Sequence, residues 1–161
     1  MSGRVWLFDD NIDTDVLAPG RYMNSPLKTL AAHCLEAVNP EFATAAKPGD
    51  VLVAGRNFGV GSSREQAAEC LKVLGIAAIV AQSFAGIFYR NAINLGLPVL
   101  VGQADQNAKD GDVVSIDIRS AVLTLPSHTI QCELIPDFLL DLIAAGGLVP
   151  HLEKRFIRSG M

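Results

Sequence analysis

The sequence is poor in most of the features that would place it outside the ordinary globular class. Of its 161 residues only 6% are aromatic and 19% charged, while 50% are hydrophobic. So few charges beside so much apolar surface exclude an intrinsically disordered chain, which could not offset its ordering entropy by burial. A basic excess is absent, with 13 Lys+Arg against 17 Asp+Glu and a formal net charge of −4. Nucleic-acid affinity rests on cations that neutralise phosphates, so no nucleic-acid role is expected. Long apolar runs are missing too. Stretches such as Gly75 to Ala81 fall well short of the roughly 20 residues a spanning helix needs, and no membrane role is expected.

Cysteine is scarce. Cys34, Cys70 and Cys132 are odd in number, far apart and form no C-x-x-C pair. This argues against a disulfide framework and against a zinc or iron–sulfur site built from this chain alone. The three read as free thiols packed as small hydrophobes. The N-terminus reaches Asp9-Asp10 almost at once and reads as lacking a signal peptide, so the cytoplasm is the expected compartment. The chain contains no repeat or linker. Its length predicts one domain over residues 1–161, able to bury roughly two-thirds of the surface the unfolded chain exposes.

What is present is a strand–helix alternation. Val5 to Phe8 and Val51 to Ala54 are short apolar runs that read as strands, and Asn11 to Met23, with Pro19-Gly20, reads as a loop. Pro26 to Val38 carries Leu27, Leu30, Ala31, Cys34, Leu35 and Val38 at helical spacing. After the glycine-rich stretch Gly55 to Gly61 a helix is predicted to about Leu74, ended by Gly75. Ala77 to Ala81, Ala85 to Leu95 and Val99 to Val101 read as strand, helix and strand. This alternation predicts a parallel sheet with right-handed crossovers. Beyond Gly111-Asp112 the pattern changes to short alternating strands, Val113 to Ile118, Ala121 to Leu125 and Thr129 to Leu134, the mark of an antiparallel meander. Pro136 to Ala145 reads as the last helix.

Chemistry concentrates at Gly55-Arg56-Asn57-Phe58-Gly59-Val60-Gly61-Ser62-Ser63-Arg64-Glu65-Gln66. One reading is structural, since Ser62-x-x-Glu65 and Ser63-x-x-Gln66 both fit a capping box. The other is an anion site, because a helix N-terminus presents unpaired N–H groups and a positive dipole end. Arg64 opposes that dipole, and an arginine so placed suits a bidentate carboxylate or phosphate ligand. Nucleotide loops do not fit. No lysine lies between Lys47 and Lys72, and Gly59-x-Gly61 is followed by Ser63-Arg64 rather than by a third glycine. There is no G-x-S-x-G elbow, and His33, His128 and His151 show no triad spacing and read as structural. A serine remains whose alkoxide a helix terminus and a guanidinium would stabilise, suited to taking a proton from carbon alpha to a carboxylate.

The segment Gly55-x-Asn57-Phe58-Gly59-x-Gly61-Ser62-Ser63-Arg64-Glu65-Gln66-Ala67 closely resembles the signature of 3-isopropylmalate dehydratase small subunits, the swivelling domain of the aconitase superfamily. Asp10-Asn11-Ile12-Asp13-Thr14-Asp15 with Pro19-Gly20-Arg21-Tyr22 resembles the family's N-terminal active-site loop, Ser83 to Leu97 its second helix, and Ala144 to Leu148 its C-terminal end. The resemblance implies an α/β fold, a three-layer β/β/α swivelling domain with a mainly parallel sheet and an added antiparallel β layer. It implies that Ser62 is the alkoxide base, that Ser63 and Arg64 hold a substrate carboxylate, and that Asp15 lines the pocket. Arg21 is a second candidate for carboxylate contact. It further implies a partner, a large subunit carrying a [4Fe-4S] cluster whose open iron acts as a Lewis acid on the substrate hydroxyl, while this chain binds no cofactor itself.

The resemblance implies a hydro-lyase of leucine biosynthesis that moves the hydroxyl of isopropylmalate to the neighbouring carbon. The alternatives are the small subunit of homoaconitase or of another hydroxy-diacid dehydratase and, from a different class, a non-catalytic anion-binding regulatory module. Ala18 stands where aconitases proper have serine, which argues against citrate, and Val60 stands where the family usually has cysteine. The specificity stretch is Tyr22-Met23-Asn24-Ser25, where an arginine would suit a third carboxylate and an apolar residue an isopropyl group. Asn24 is neither. The Asn11 to Ser25 stretch is expected to be mobile without the large subunit, because it carries little apolar surface. Whether the isolated chain forms a homo-oligomer is left open.

Overall fold

The structure, a computed structural model, describes residues 2–158. Strands β1 (Ser2–Leu7), β2 (Val51–Ala54), β3 (Ala78–Ala81) and β4 (Val99–Val101) run parallel in the order β4-β3-β2-β1. On the far side of β1, β5 (Val113–Asp117) pairs antiparallel, and β6 (Val122–Thr124) and β7 (Thr129–Gln131) continue the meander. The antiparallel strands are thus not a separate sheet but an extension of the parallel one.

Alternation along each strand feeds two cores. Trp6, Leu52, Ala54, Ile79, Ala81 and Val99 face one, with Leu30, Phe42, Ala67, Leu71, Phe88 and Ile93 from the loops and helices. Val5, Val51, Val53, Ala78, Val80 and Leu100 face the other, where they meet Val114, Leu123 and Leu125 of the antiparallel half. The sheet therefore curls over itself, and the layers are β/β/α as expected. Every residue of β2 and β3 is buried, which is why both read as unbroken apolar runs.

The helices are α1 (Thr14–Leu17), α2 (Leu27–Ala31), α3 (Phe42–Ala45), α4 (Gln66–Val73), α5 (Gly86–Asn94), α6 (Asp137–Ala145) and α7 (Leu148–Arg158). Several differ from expectation. The Asn11 to Met23 loop contains α1, capped by the Asp13 carboxylate accepting from Val16 N at 2.8 Å, and a 3-10 turn over Gly20–Tyr22. Its apolar surface is not small either, since Ile12, Leu17 and Ala18 are buried. α2 stops at Ala31 instead of Val38, because Leu35 has φ +60° and gives its N–H to Val16 O at 3.0 Å rather than to its own helix. α6 is not last. α7 follows the two glycines, with Pro150 in its first turn, where a missing N–H costs nothing. Among the described residues no helix is long and apolar enough to cross a membrane.

Candidate active site

Three loops leave the carboxyl ends of β1, β2 and β3 side by side, the edge where open α/β sheets present ligands. Main-chain bonds lace the first two together: Asn11 N to Arg56 O at 2.7 Å, Gly59 N to Ile12 O at 2.7 Å and Thr14 N to Val60 O at 2.9 Å. The second and third are joined by Phe58 N to Ser83 O at 3.0 Å and Ala85 N to Phe58 O at 2.9 Å. Side chains tighten the seam, with Arg56 N on Asp10 Oδ1 at 2.7 Å, Asn57 Nδ2 on Asn11 Oδ1 at 3.0 Å and Asn57 N on Ser83 Oγ at 2.9 Å. Gly59 must be glycine. Its φ is +82°, and a Cβ would lie 2.2 Å from Phe88 Cγ. Phe58, wholly buried between Phe84 and Phe88, anchors the loop from below.

At the top of this scaffold Ser62 meets Thr14. Thr14 Oγ1 accepts the Ser62 N–H at 3.1 Å and lies 3.2 Å from Ser62 Oγ. Thr14 is buried whereas Ser62 and Ser63 are exposed, so a buried hydroxyl supports a surface one. A hydroxyl has one proton and two acceptor sites. Thr14 uses one acceptor site on the amide and keeps both its proton and a second acceptor site for Ser62 Oγ.

Arg64 reaches across to α1. Its Nη1 donates to Asp15 Oδ1 at 2.8 Å and to Ala18 O at 3.1 Å, and Gly20 N donates to the same Asp15 oxygen at 3.1 Å. Among the described residues Nη2 and Nε of this guanidinium have no partner, which leaves an edge of the fork for a carboxylate. The Arg64 bond foremost, and the Gly20 amide after it, hold the Asp15 carboxyl below its ordinary value.

The capping-box reading is overturned. Ser62, Ser63 and Arg64 precede α4, whose first residue is Gln66, and no side chain caps it. Ser62 has been drawn onto Thr14 instead. The structure brings together Ser62, Arg64 and Asp15 of the expected residues. Ser63 is exposed between Ser62 and Arg64, Arg21 lies on the 3-10 turn with its Cζ 5.4 Å from the Tyr22 ring, and Asn24 is exposed just beyond. Thr14 was not singled out from sequence. Its signal was Leu17 three residues on, which puts both on the buried face of one helical turn.

The residues do not fit cluster ligation. Cys34, Cys70 and Cys132 are buried, and burial pushes all three thiols up, Cys70 to about 12. Thiolate is the form that binds iron. Among the described residues no group of three or more His, Cys, Asp or Glu side chains could hold a metal ion.

The sequence pattern of the aconitase C-terminal domain matches residues 16–104. The methanogen homoaconitase small subunit of Methanothermobacter thermautotrophicus is 52% identical over 155 residues, 94% of this chain and 90% of that one. The chain belongs to the aconitase C-terminal domain family. Its relatives include the 3-isopropylmalate dehydratase small subunit of Nautilia profundicola, 46% identical over 92% of each chain. The crystal structure of 3-isopropylmalate dehydratase from Methanocaldococcus jannaschii superposes with a TM-score of 0.93 at 44% identity, covering 99% of this chain and 96% of that one. Membership of this family accounts for the mixed sheet and for loops gathered at its carboxyl edge.

Proposed function

We propose that this chain is the small subunit of a hydro-lyase of the 3-isopropylmalate dehydratase type, interconverting 2- and 3-isopropylmalate by loss and return of water. In this reading the whole chain is one swivelling domain, working in the cytoplasm. The observation that carries it is the Thr14–Ser62 pair set beside the Arg64–Asp15 pair at the sheet's carboxyl edge.

Arg64 holds a carboxylate of the substrate through its unpartnered edge, and the Ser63 hydroxyl donates to the same group. Asp15 keeps the guanidinium facing that position. Ser62 Oγ removes the proton from the carbon alpha to the held carboxylate and returns one when water adds back. The Thr14 hydroxyl donates to Ser62 Oγ, which favours the oxyanion, because a hydrogen bond to the charged form stabilises it. Arg21 and Asn24 face the rest of the substrate.

Because Ser62 and Ser63 are exposed, this chain supplies one wall of the site, and a large subunit supplies the other. Exposed Val60 beside Ser62 and Ile87 on α5 are apolar surface suited to that contact. The family's [4Fe-4S] cluster belongs, in this reading, to the large subunit.

A second reading, the small subunit of a homoaconitase, is favoured by the 52% identity to such a subunit and by exposed Arg21. The test is kcat/KM of the pair reconstituted with its large subunit on isopropylmalate and homocitrate. A preference for isopropylmalate of about tenfold or more supports the first reading. Preference for homocitrate establishes the second, and turnover of neither overturns both.

A further inference from the structure

We infer that His33 is a positioning residue, whose stack on Tyr22 holds the 3-10 turn at the site and thereby tunes which diacid the site accepts. This rests on the hydro-lyase reading above. The turn adjoins the carboxylate-binding arginine directly. Gly20 N shares the Asp15 oxygen that Arg64 Nη1 binds, and a Cβ on Gly20 would stand 3.8 Å from Arg64 Nη2. Whatever Arg64 holds therefore lies beside this turn, and its exposed side chains, Arg21 and Asn24, meet the remainder of the molecule.

The turn's own bonds do not place it. Tyr22 N to Pro19 O at 3.0 Å, Met23 N to Gly20 O at 3.2 Å and Ser25 N to Tyr22 O at 2.9 Å are all local, and shape the turn without tying it to the body. Gly20 N on Asp15 Oδ1 ties its start to α1, and at Tyr22 the tie is the ring, packed against the core and stacked on the His33 imidazole with centroids 3.7 Å apart and planes within 4°. The imidazole is itself held, with Nδ1 2.7 Å from Glu36 Oε2. That carboxylate draws a proton onto Nδ1 and fixes the ring plane.

His33 in turn sits on a firm base. Cys34 and Leu35 after it are fully buried, and Leu35 N bonds Val16 O at 3.0 Å on α1, the helix that bears Asp15. Leu35 adopts φ +60°, a conformation a non-glycine residue keeps only where its surroundings over-determine it. One short stretch, residues 33–36, thus supports both α1 and the 3-10 turn.

The experiment compares His33→Ala, which removes the stack, with His33→Phe, which keeps a flat ring. In the free chain, hydrogen exchange of the Tyr22, Met23 and Ser25 amides should speed up about tenfold in H33A, with β2 and β3 amides unchanged, and return to near the wild-type rate in H33F. In the reconstituted enzyme, H33A should change the ratio of kcat/KM between isopropylmalate and unsubstituted malate about tenfold, through KM, with kcat within about twofold. H33F should restore the ratio. Unchanged exchange at the three amides overturns the positioning role, whatever the activity. An equal loss on both malates overturns the link to specificity. Absence of turnover in the wild-type pair would instead remove the hydro-lyase reading, a result the exchange measurement does not share.

Discussion

Thr14 Oγ1 lies 3.2 Å from Ser62 Oγ and takes the Ser62 amide proton at 3.1 Å, so one buried hydroxyl addresses two atoms of one serine. Ser62→Ala should reduce turnover of the reconstituted enzyme by about 10³-fold or more while changing stability by less than about 1 kcal/mol, since the residue is exposed. Thr14→Val keeps the shape but leaves the Ser62 amide unpaired. It should cost about 1–2 kcal/mol in urea unfolding and lower kcat about tenfold or more. Wild-type kcat in T14V would detach Thr14 from the chemistry.

The Arg64–Asp15 bond joins an arginine 29% exposed to an aspartate 69% exposed. Because Arg64 first and Gly20 N second lower the Asp15 carboxyl from 3.8, its contribution to stability is present above 3.8 and lost as pH falls through the lowered native value. The urea midpoints of wild type and Asp15→Asn should therefore differ by a constant amount from pH 5 to 9 and converge on acidification below 3.8. A gap that widens on acidification would reverse the assignment.

Gly59 and Gly86 make a matched pair. With φ +82° and Phe88 Cγ 2.2 Å from any added Cβ, Gly59→Ala should destabilise the chain by more than about 3 kcal/mol in thermal or urea unfolding. Nothing lies within 4 Å of a Cβ on Gly86, so Gly86→Ala should change stability by less than about 1 kcal/mol.

The thiols should be inert in the native chain. Burial raises Cys34, Cys70 and Cys132, Cys70 to about 12. At pH 8 a disulfide reagent such as dithiobis(nitrobenzoate) should titrate none of them until denaturant is added. Rapid modification of one equivalent in buffer would contradict this.

Much of the fold was legible in sequence because the signals were local. β2 and β3 are unbroken apolar runs, and Gly75, read as the stop of its helix, follows α4 at positive φ, as Gly96 and Gly146 follow α5 and α6. Competing partners from elsewhere in the chain produced the misses. Ser62 and Glu65 fit a capping box, yet Thr14 had already taken the Ser62 amide, so α4 begins only at Gln66. Leu35 kept the helical period, yet Val16 O claimed its N–H. α7 was missed although Leu148, Leu152 and Phe156 recur in it at i, i+4 and i+8, and its apolar residues are exposed rather than buried in the core.

Taken alone, the sequence determined the class of the fold, the order of the strands, the order of the helices from β2 through residue 145, and the kinds of group available for chemistry, because hydrophobic period and side-chain identity are properties of neighbours. Only the tertiary structure decided which groups act together. Thr14 meets Ser62 across 48 positions and Asp15 meets Arg64 across 49, distances at which no periodicity carries information and the loops of a parallel sheet alone set who touches whom.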